Sequence, residues 1–250
     1  RILMQYFQDF QNLLYLFGNE DKATIFQDIS RYANIVDQVK DDITFLNFFN
    51  IQEGFRPDQV SIQLYDTPLY YWTFYLLNDD LREQGWPLVN SELQTYIKKI
   101  FPNQTVTTRE NISTKFKVGQ IVSGGTSGAS GEIIRRDLSL GQIIIKLSTS
   151  NSFSTGGELL SSTVTTGGVP TVETCNIIST SNEYQAAHHY TRDGLIFGEH
   201  NPFDGPGAQD NEVTVEDVWF NNNEDLKQIK VIKPSLISKV VTSYKKSIRE

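Results

Sequence analysis

Apolar positions along the chain fall into two rhythms. Between Phe55 and Trp86 (FRPDQVSIQLYDTPLYYWTFYLLNDDLREQGW) they recur at three- and four-residue steps; from about Thr114 to Thr180 they come in short β-branched runs separated by Gly and Ser. The first stretch predicts two short helices and a turn. Pro57 suits the first helical position, where its missing N–H costs nothing, and Asp58 adds negative charge to the first turn. Val60 and Leu64 share a face. Tyr65-Asp66-Thr67-Pro68 ends that helix, because a residue before proline is pushed out of the α region, and Thr67-Pro68 is a capped restart. Leu69, Trp72 and Leu76 then line the second helix, which Asn78-Asp79-Asp80 is expected to end.

The same reading applied elsewhere predicts a short strand over Ile2 to Phe7, a turn at Gly18-Asn19-Glu20-Asp21, and an amphipathic helix to about Asp42. That helix carries the stripe Ile25, Ile29, Tyr32, Val36 and Val39. Ile43 to Ile51 reads as a strand leading into the dense stretch, and Ser91 to Ile100 as a short helix stopped by Pro102. The Gly/Ser/Thr-rich middle offers five strands: KFKVGQIVSG, GEIIRR, GQIIIKLS, GGELLSS and VETCNIIS. They suit a small antiparallel barrel or sandwich. After Asn182 helix-forming and aromatic character returns, with a turn-rich surface loop at NPFDGPGAQDNE. Near the end, Ile229, Val231 and Ile232 make a strand, Pro234 breaks it, and Ser235 caps a helix from Leu236 to Ile248.

Tyr70, Tyr71, Trp72, Phe74 and Tyr75 put five aromatics on more than one side of a helix, more than one core face should absorb. Some are therefore expected to meet another chain. In Ser123-Gly124-Gly125-Thr126-Ser127-Gly128-Ala129-Ser130-Gly131 the glycines suggest a phosphate cradle, but no Gly-Lys-Ser/Thr follows, so a hairpin loop is the better reading. His188, His189 and His200 are the only candidates for a histidine metal site. Adjacent histidines should point to opposite sides of a helix or strand, and no HExxH spacing is present, so all three read as structural or surface residues.

The string RPDQVSIQLYDTPLYYWTFYLLND resembles the signature of the gene product 53 family, baseplate wedge proteins of contractile-tailed (T-even type) bacteriophages. Arg56, Pro57, Tyr65, Pro68, Tyr71, Trp72, Asn78, Asp79, Gly85 and Trp86 carry the match. The helix-turn-helix core also resembles the LysM-like module of tail proteins, and Leu226 to Ile248 resembles the family's terminal strand and helix. The middle of the chain is not covered. The resemblance implies a structural subunit of the virion's tail baseplate, assembled in the host cytoplasm in six copies or a multiple of six. Its partners would be other wedge and inner-baseplate proteins. LysM modules elsewhere bind peptidoglycan, so a glycan-binding module is the alternative.

Composition narrows the classes further. The chain has 250 residues, a net charge of −8 and 38% hydrophobic residues, with a pI of about 5.0 and a mean hydropathy of −0.34. Acidity argues against a nucleic-acid binder, since phosphate contacts need clustered Lys and Arg. No run of 18 apolar residues is present to cross a membrane, and RILMQYFQDF does not have the form of a signal peptide. Cys175 is the only cysteine, which excludes an internal disulfide. Charge is split along the chain: Glu183 to Asp225 is acidic, whereas Lys227 to Arg249 is basic. Lys239, Lys245, Lys246 and Arg249 on the terminal helix are candidates for docking a partner. No nucleophile–base or paired-carboxylate spacing stands out, so no catalytic residue, cofactor or metal is assigned.

The expected fold class is α+β. A LysM-like helix/strand domain comes from both ends of the chain (1–112 and 183–250), interrupted by a small all-β barrel or sandwich at 113–182.

Overall fold

A computed structural model describes residues 11–16, 18, 22–28, 44–166, 168–197 and 201–249. It is α+β, and the chain divides into two compact units, one made of Arg1–Val89 with Asn223–Glu250, the other of Asn90–Asn222. The β-rich unit thus extends beyond the expected 113–182 on both sides. The reason is strand pairing: segments before 113 and after 182 that read as belonging to the chain-end domain are hydrogen-bonded into the β unit.

In the first unit, β1 (Asn12–Tyr15) and β2 (Thr24–Gln27) form an antiparallel hairpin. Ile25, expected in an amphipathic helix, lies in β2; Thr24-Ile25-Phe26 is a β-branched and aromatic run that favours extended pairing. Ile29, Tyr32, Val36 and Val39 lie outside the described residues, as do Ile2 to Phe7 and Asn19 to Asp21. β3 (Leu46–Asn50) pairs antiparallel with β14 (Gln228–Ile232), Phe49 opposite Ile229, so strands far apart in sequence make one two-stranded sheet. Between them come α1 (Pro57–Tyr65), a 3₁₀ turn (Pro68–Tyr70), α2 (Trp72–Leu77) and α3 (Asp79–Gln84); α6 (Ile237–Arg249) follows β14. Ile51, Val60, Tyr65, Trp72, Phe74, Leu77, Leu81, Ile229, Val231, Ile237, Val241 and Tyr244 form the core.

Two helix ends differ from expectation. Asn78 is extended and breaks the run after Leu77, but Asp79 and Asp80 open α3 rather than ending α2. Carboxylates in a first helical turn face the positive end of its dipole, which explains their place. Leu69, expected on the apolar face with Trp72, is 42% exposed, whereas Trp72, Thr73, Phe74 and Leu77 are buried on more than one side of α2.

The second unit starts with α4 (Asn90–Ile100) and then β4 (Gln104–Thr107). The five strands expected from the sequence are all present: β5 (Ile121–Gly124), β6 (Ser130–Asp137), β7 (Gln142–Leu147), β8 (Leu159–Thr166) and β9 (Val169–Asn176). With β4 and β10 (Ser179–Asn182) they order as β10-β4-β7-β6-β5-β8-β9. The two ends of that order are joined by the chain itself. Ile177 N–H still bonds Glu158 O beside β8, while Ile178 N–H bonds Thr107 O beside β4, so the strand changes partner within two residues and the ring of neighbours closes. The join is made by chain continuity at this corner, since β9 pairs only with β8 and β10 only with β4. Val106, Phe116, Val122, Ile133, Ile143, Ile145, Leu160 and Ile177 fill the inside. At Gly131 a Cβ would lie 2.5 Å from the Lys146 carbonyl oxygen, so glycine is what lets β6 approach β7 there.

Beyond β10 the expected helical character is replaced by a sheet, β11 (Ala187–Arg192) between β12 (Leu195–Phe197) and β13 (Asn211–Thr214), before α5 (Val215–Asp225). Tyr190 and Arg192 share one face of β11 and Thr191 the other, and Asp193 and Gly194, both at positive φ, turn the chain into the β11–β12 hairpin.

Candidate functional site

The residues singled out between Arg56 and Trp86 act on the backbone around them. Arg56 N–H donates to Gln59 Oε1 at 2.9 Å, tying down the start of α1, and its guanidinium grips the Asp58 carboxylate through two bonds of 3.1 and 2.7 Å. That hydrogen-bonded cation holds the Asp58 carboxyl below its ordinary pKa. Pro57 is the first helical residue, and Asp66 ends α1 in the left-handed region (φ 58°). Thr67 Oγ1 accepts from Leu69 N–H, as a capped restart requires. Buried Ser61 stitches the turn together, donating to Thr67 O at 2.7 Å and accepting from Tyr70 N–H. Pro68 opens the 3₁₀ turn.

Three side chains then reach distant backbone. Tyr65 Oη donates to Ile232 O, 167 residues on, at 3.0 Å; burial raises that hydroxyl's pKa well above its ordinary value. The Asn78 amide donates to Phe74 O (2.8 Å) and Lys230 O (2.9 Å), and its Oδ1 accepts from Lys230 N–H (2.8 Å). Asn78 therefore acts as a one-residue strand on the outer edge of β14. Trp86 Nε1 donates to Phe55 O at 2.7 Å, after Gly85 turns the chain at a φ of 93°. Asp79, exposed, pairs with Arg82 at 2.7 Å. Trp72 is buried against the Tyr244 ring, centroids 5.4 Å apart.

The unit itself covers part of the aromatic surplus. Tyr70, Tyr71 and Tyr75 are half-buried against the core, with Tyr70 edge-on to Tyr65 and Tyr75 against Trp86. The break at Tyr71 and the sheet and α6 flanking α2 give these rings more than one apolar face to meet, which a single straight helix would not.

On α6, Ile237, Val241 and Tyr244 are buried in the core, Leu236 and Val240 half-buried. Lys239 and Lys246 are exposed and Lys245 half-buried. Arg249 ends the helix, and its side chain lies outside the described ones. Part of the acidic stretch is matched within the protein, Arg192 with Asp210 at 2.7 Å, Lys227 with Glu224, and Arg135 with Glu183 at 3.4 Å.

In the β unit, Ser123 to Gly131 forms the β5–β6 hairpin and cradles an anion after all, the protein's own. Glu158, 4% exposed, accepts from the backbone N–H groups of Thr126 (3.0 Å), Ser127 (2.6 Å) and Ser154 (2.5 Å). Burial opposes its ionisation, but these bonds with the Ser127 side chain outweigh it and hold the carboxyl below its ordinary pKa. A Cβ at Gly124 would sit 2.4 Å from Glu158 Oε1, so a larger residue there would have to displace that carboxylate. A Gly-rich loop, with an isolated Glu just before the strand that pairs with β5, is the signal that could have found this arrangement. Cys175 is buried, its thiol pushed up to about 12 mainly by that burial.

The expectation that His188 and His189 point to opposite sides is overturned. A β-bulge between Ala187 and His189 sets the two rings together, Nδ1 to Nδ1 at 2.9 Å. A bulge puts two residues of one strand opposite a single partner residue and so suspends the usual alternation. His200 lies outside the described residues. Asn223, which sequence reading gave no reason to notice, is 5% exposed and brackets Leu88, accepting from its N–H at 2.8 Å and donating to its C=O at 3.0 Å.

No family model matches the chain, and no curated protein matches it either.

Proposed function

We propose that the chain is a structural subunit of a phage tail baseplate wedge, its helix/strand unit a LysM-like core interrupted by the β unit. The observation that supports this is the agreement between the resembling residues and the wiring. Tyr65 and Asn78, both in the family-like stretch, bond the backbone of the strand that resembles the family's C-terminal segment. A protein that must hold its neighbours under load gains from such cross-links, because they bind the first and last parts of the chain into one body. Neighbours would dock on the basic face of α6, where Lys239 and Lys246 stand outward while the apolar face is held in the core. Charge there sets orientation and encounter rate.

The test is co-expression with the other wedge proteins encoded by the same phage, read by size-exclusion chromatography and by mass spectrometry of purified tails. Entry into a defined complex, and copies in tails at a multiple of six, is the expected result. Absence from tails, together with retention on purified cell wall, would replace this reading by the glycan-binding one.

A further inference from the structure

β11 carries two histidines in succession, and its bulge gives them a shared face. Their rings meet edge to face, centroids 5.2 Å apart and planes at 84°. His188 is exposed and His189 half-buried, so solvent reaches the pair from one side. Two nitrogens each about 2.0–2.1 Å from one metal ion and at right angles about it lie about 2.9 Å apart, whereas tetrahedral angles spread them to about 3.3 Å. The observed Nδ1 to Nδ1 separation is 2.9 Å.

We propose that His188 and His189 form a cis chelate, through their two Nδ1 atoms, for a transition-metal dication that favours tetragonal geometry, Cu(II) or Ni(II). Without metal, one ring donates Nδ1–H to the other's Nδ1. On binding, the donor ring's proton moves from Nδ1 to Nε2, both rings ligate as neutral imidazoles, and no net proton is released. Among the described residues no group of three or more His, Cys, Asp or Glu side chains is arranged to hold a metal, so water completes the coordination and the ion exchanges readily. Copper should bind more tightly than nickel or zinc, following the general affinity order for nitrogen sites.

Titrating the full chain with copper sulfate, nickel chloride and zinc chloride tests this, with electron paramagnetic resonance of the copper form. One equivalent of Cu(II) with hyperfine coupling to two imidazole nitrogens is expected. His188→Ala and His189→Ala should each weaken binding by at least the ~10-fold that loss of even an outer-shell partner costs. Exposed His188 is the safer substitution, and circular dichroism checks that both variants fold; if His189→Ala does not, His188→Ala decides. Copper affinity unchanged in His188→Ala, or a spectrum with one coupled nitrogen or none, overturns the proposal.

Discussion

The two units hold themselves together by different means. In the β unit regular pairing does most of the work: seven strands make one sheet, the inside is filled by Ile, Val, Leu and Phe, and glycines admit close approaches. Among the described residues of the helix/strand unit the two sheets, β1–β2 and β3–β14, have two strands each, too few for independent stability. Single side chains supply what further strands would, Asn78 pairing the edge of β14 and Tyr65 reaching its end. A unit built this way depends on individual residues, while a seven-stranded sheet spreads its stability over many.

That contrast can be broken most sharply by cutting the units apart. Leu88 and Asn223 are hydrogen-bonded, so replacing residues 90–222 by a short Gly/Ser linker should leave the first unit soluble and cooperatively folded. Joining Glu110 to Asn182 instead keeps β4 while removing its partner β7, and should give insoluble or molten protein. Cooperative thermal unfolding of the second variant and not the first would refute these bounds.

Trp72→Ala should cost ~3–5 kcal/mol as a buried large-to-small change. Measured by denaturant unfolding, an unchanged midpoint would mean the Trp72–Tyr244 contact contributes nothing. Asn78→Ala strips partners from Lys230 and Phe74 and should cost ~1–3 kcal/mol, more than Tyr65→Phe, which removes one bond. The reverse ranking would mean that Asn78 does not serve as a strand substitute.

Glu158 offers a subtler comparison, since its lowered pKa links the ring to pH. A group whose carboxyl titrates lower folded than unfolded adds stability that is complete above the unfolded value, about 4.3, and is lost as pH falls through the folded value. Glu158→Gln should therefore lower stability at neutral pH and flatten the acid side of the stability profile; parallel profiles for the two proteins would rule out this role. The smallest effect on the monomer should come from Lys245→Glu with Lys246→Glu. Exposed pairs contribute ~0.2–1 kcal/mol, so the midpoint should barely move while wedge assembly slows at low salt. A large loss of monomer stability with assembly unchanged at matched folded concentration would instead assign these residues to internal pairing.

Much of the local structure was legible because its causes are local. Pro57, Asp66, Thr67 and Pro68 set the helix–turn–helix by backbone sterics and capping, and the five middle strands follow from β-branched runs between glycines. The terminal strand and helix were readable from Ile229, Val231, Ile232 and Pro234. Tertiary structure alone decided the rest. Asn78 finds Lys230, 152 residues away, only once β14 lies beside α2. Asp79 begins a helix instead of ending one because Asn78 is held extended by that same contact. The histidines meet because pairing with β13 leaves one residue of β11 over, and such a bulge depends on the partner strand. Tyr70, Tyr71 and Tyr75 pack partly against their own unit because α6 and the two-stranded sheet flank what one helix face leaves open. In each case residue type sets what a side chain can do, while its partner is chosen by segments too distant for any local pattern to record.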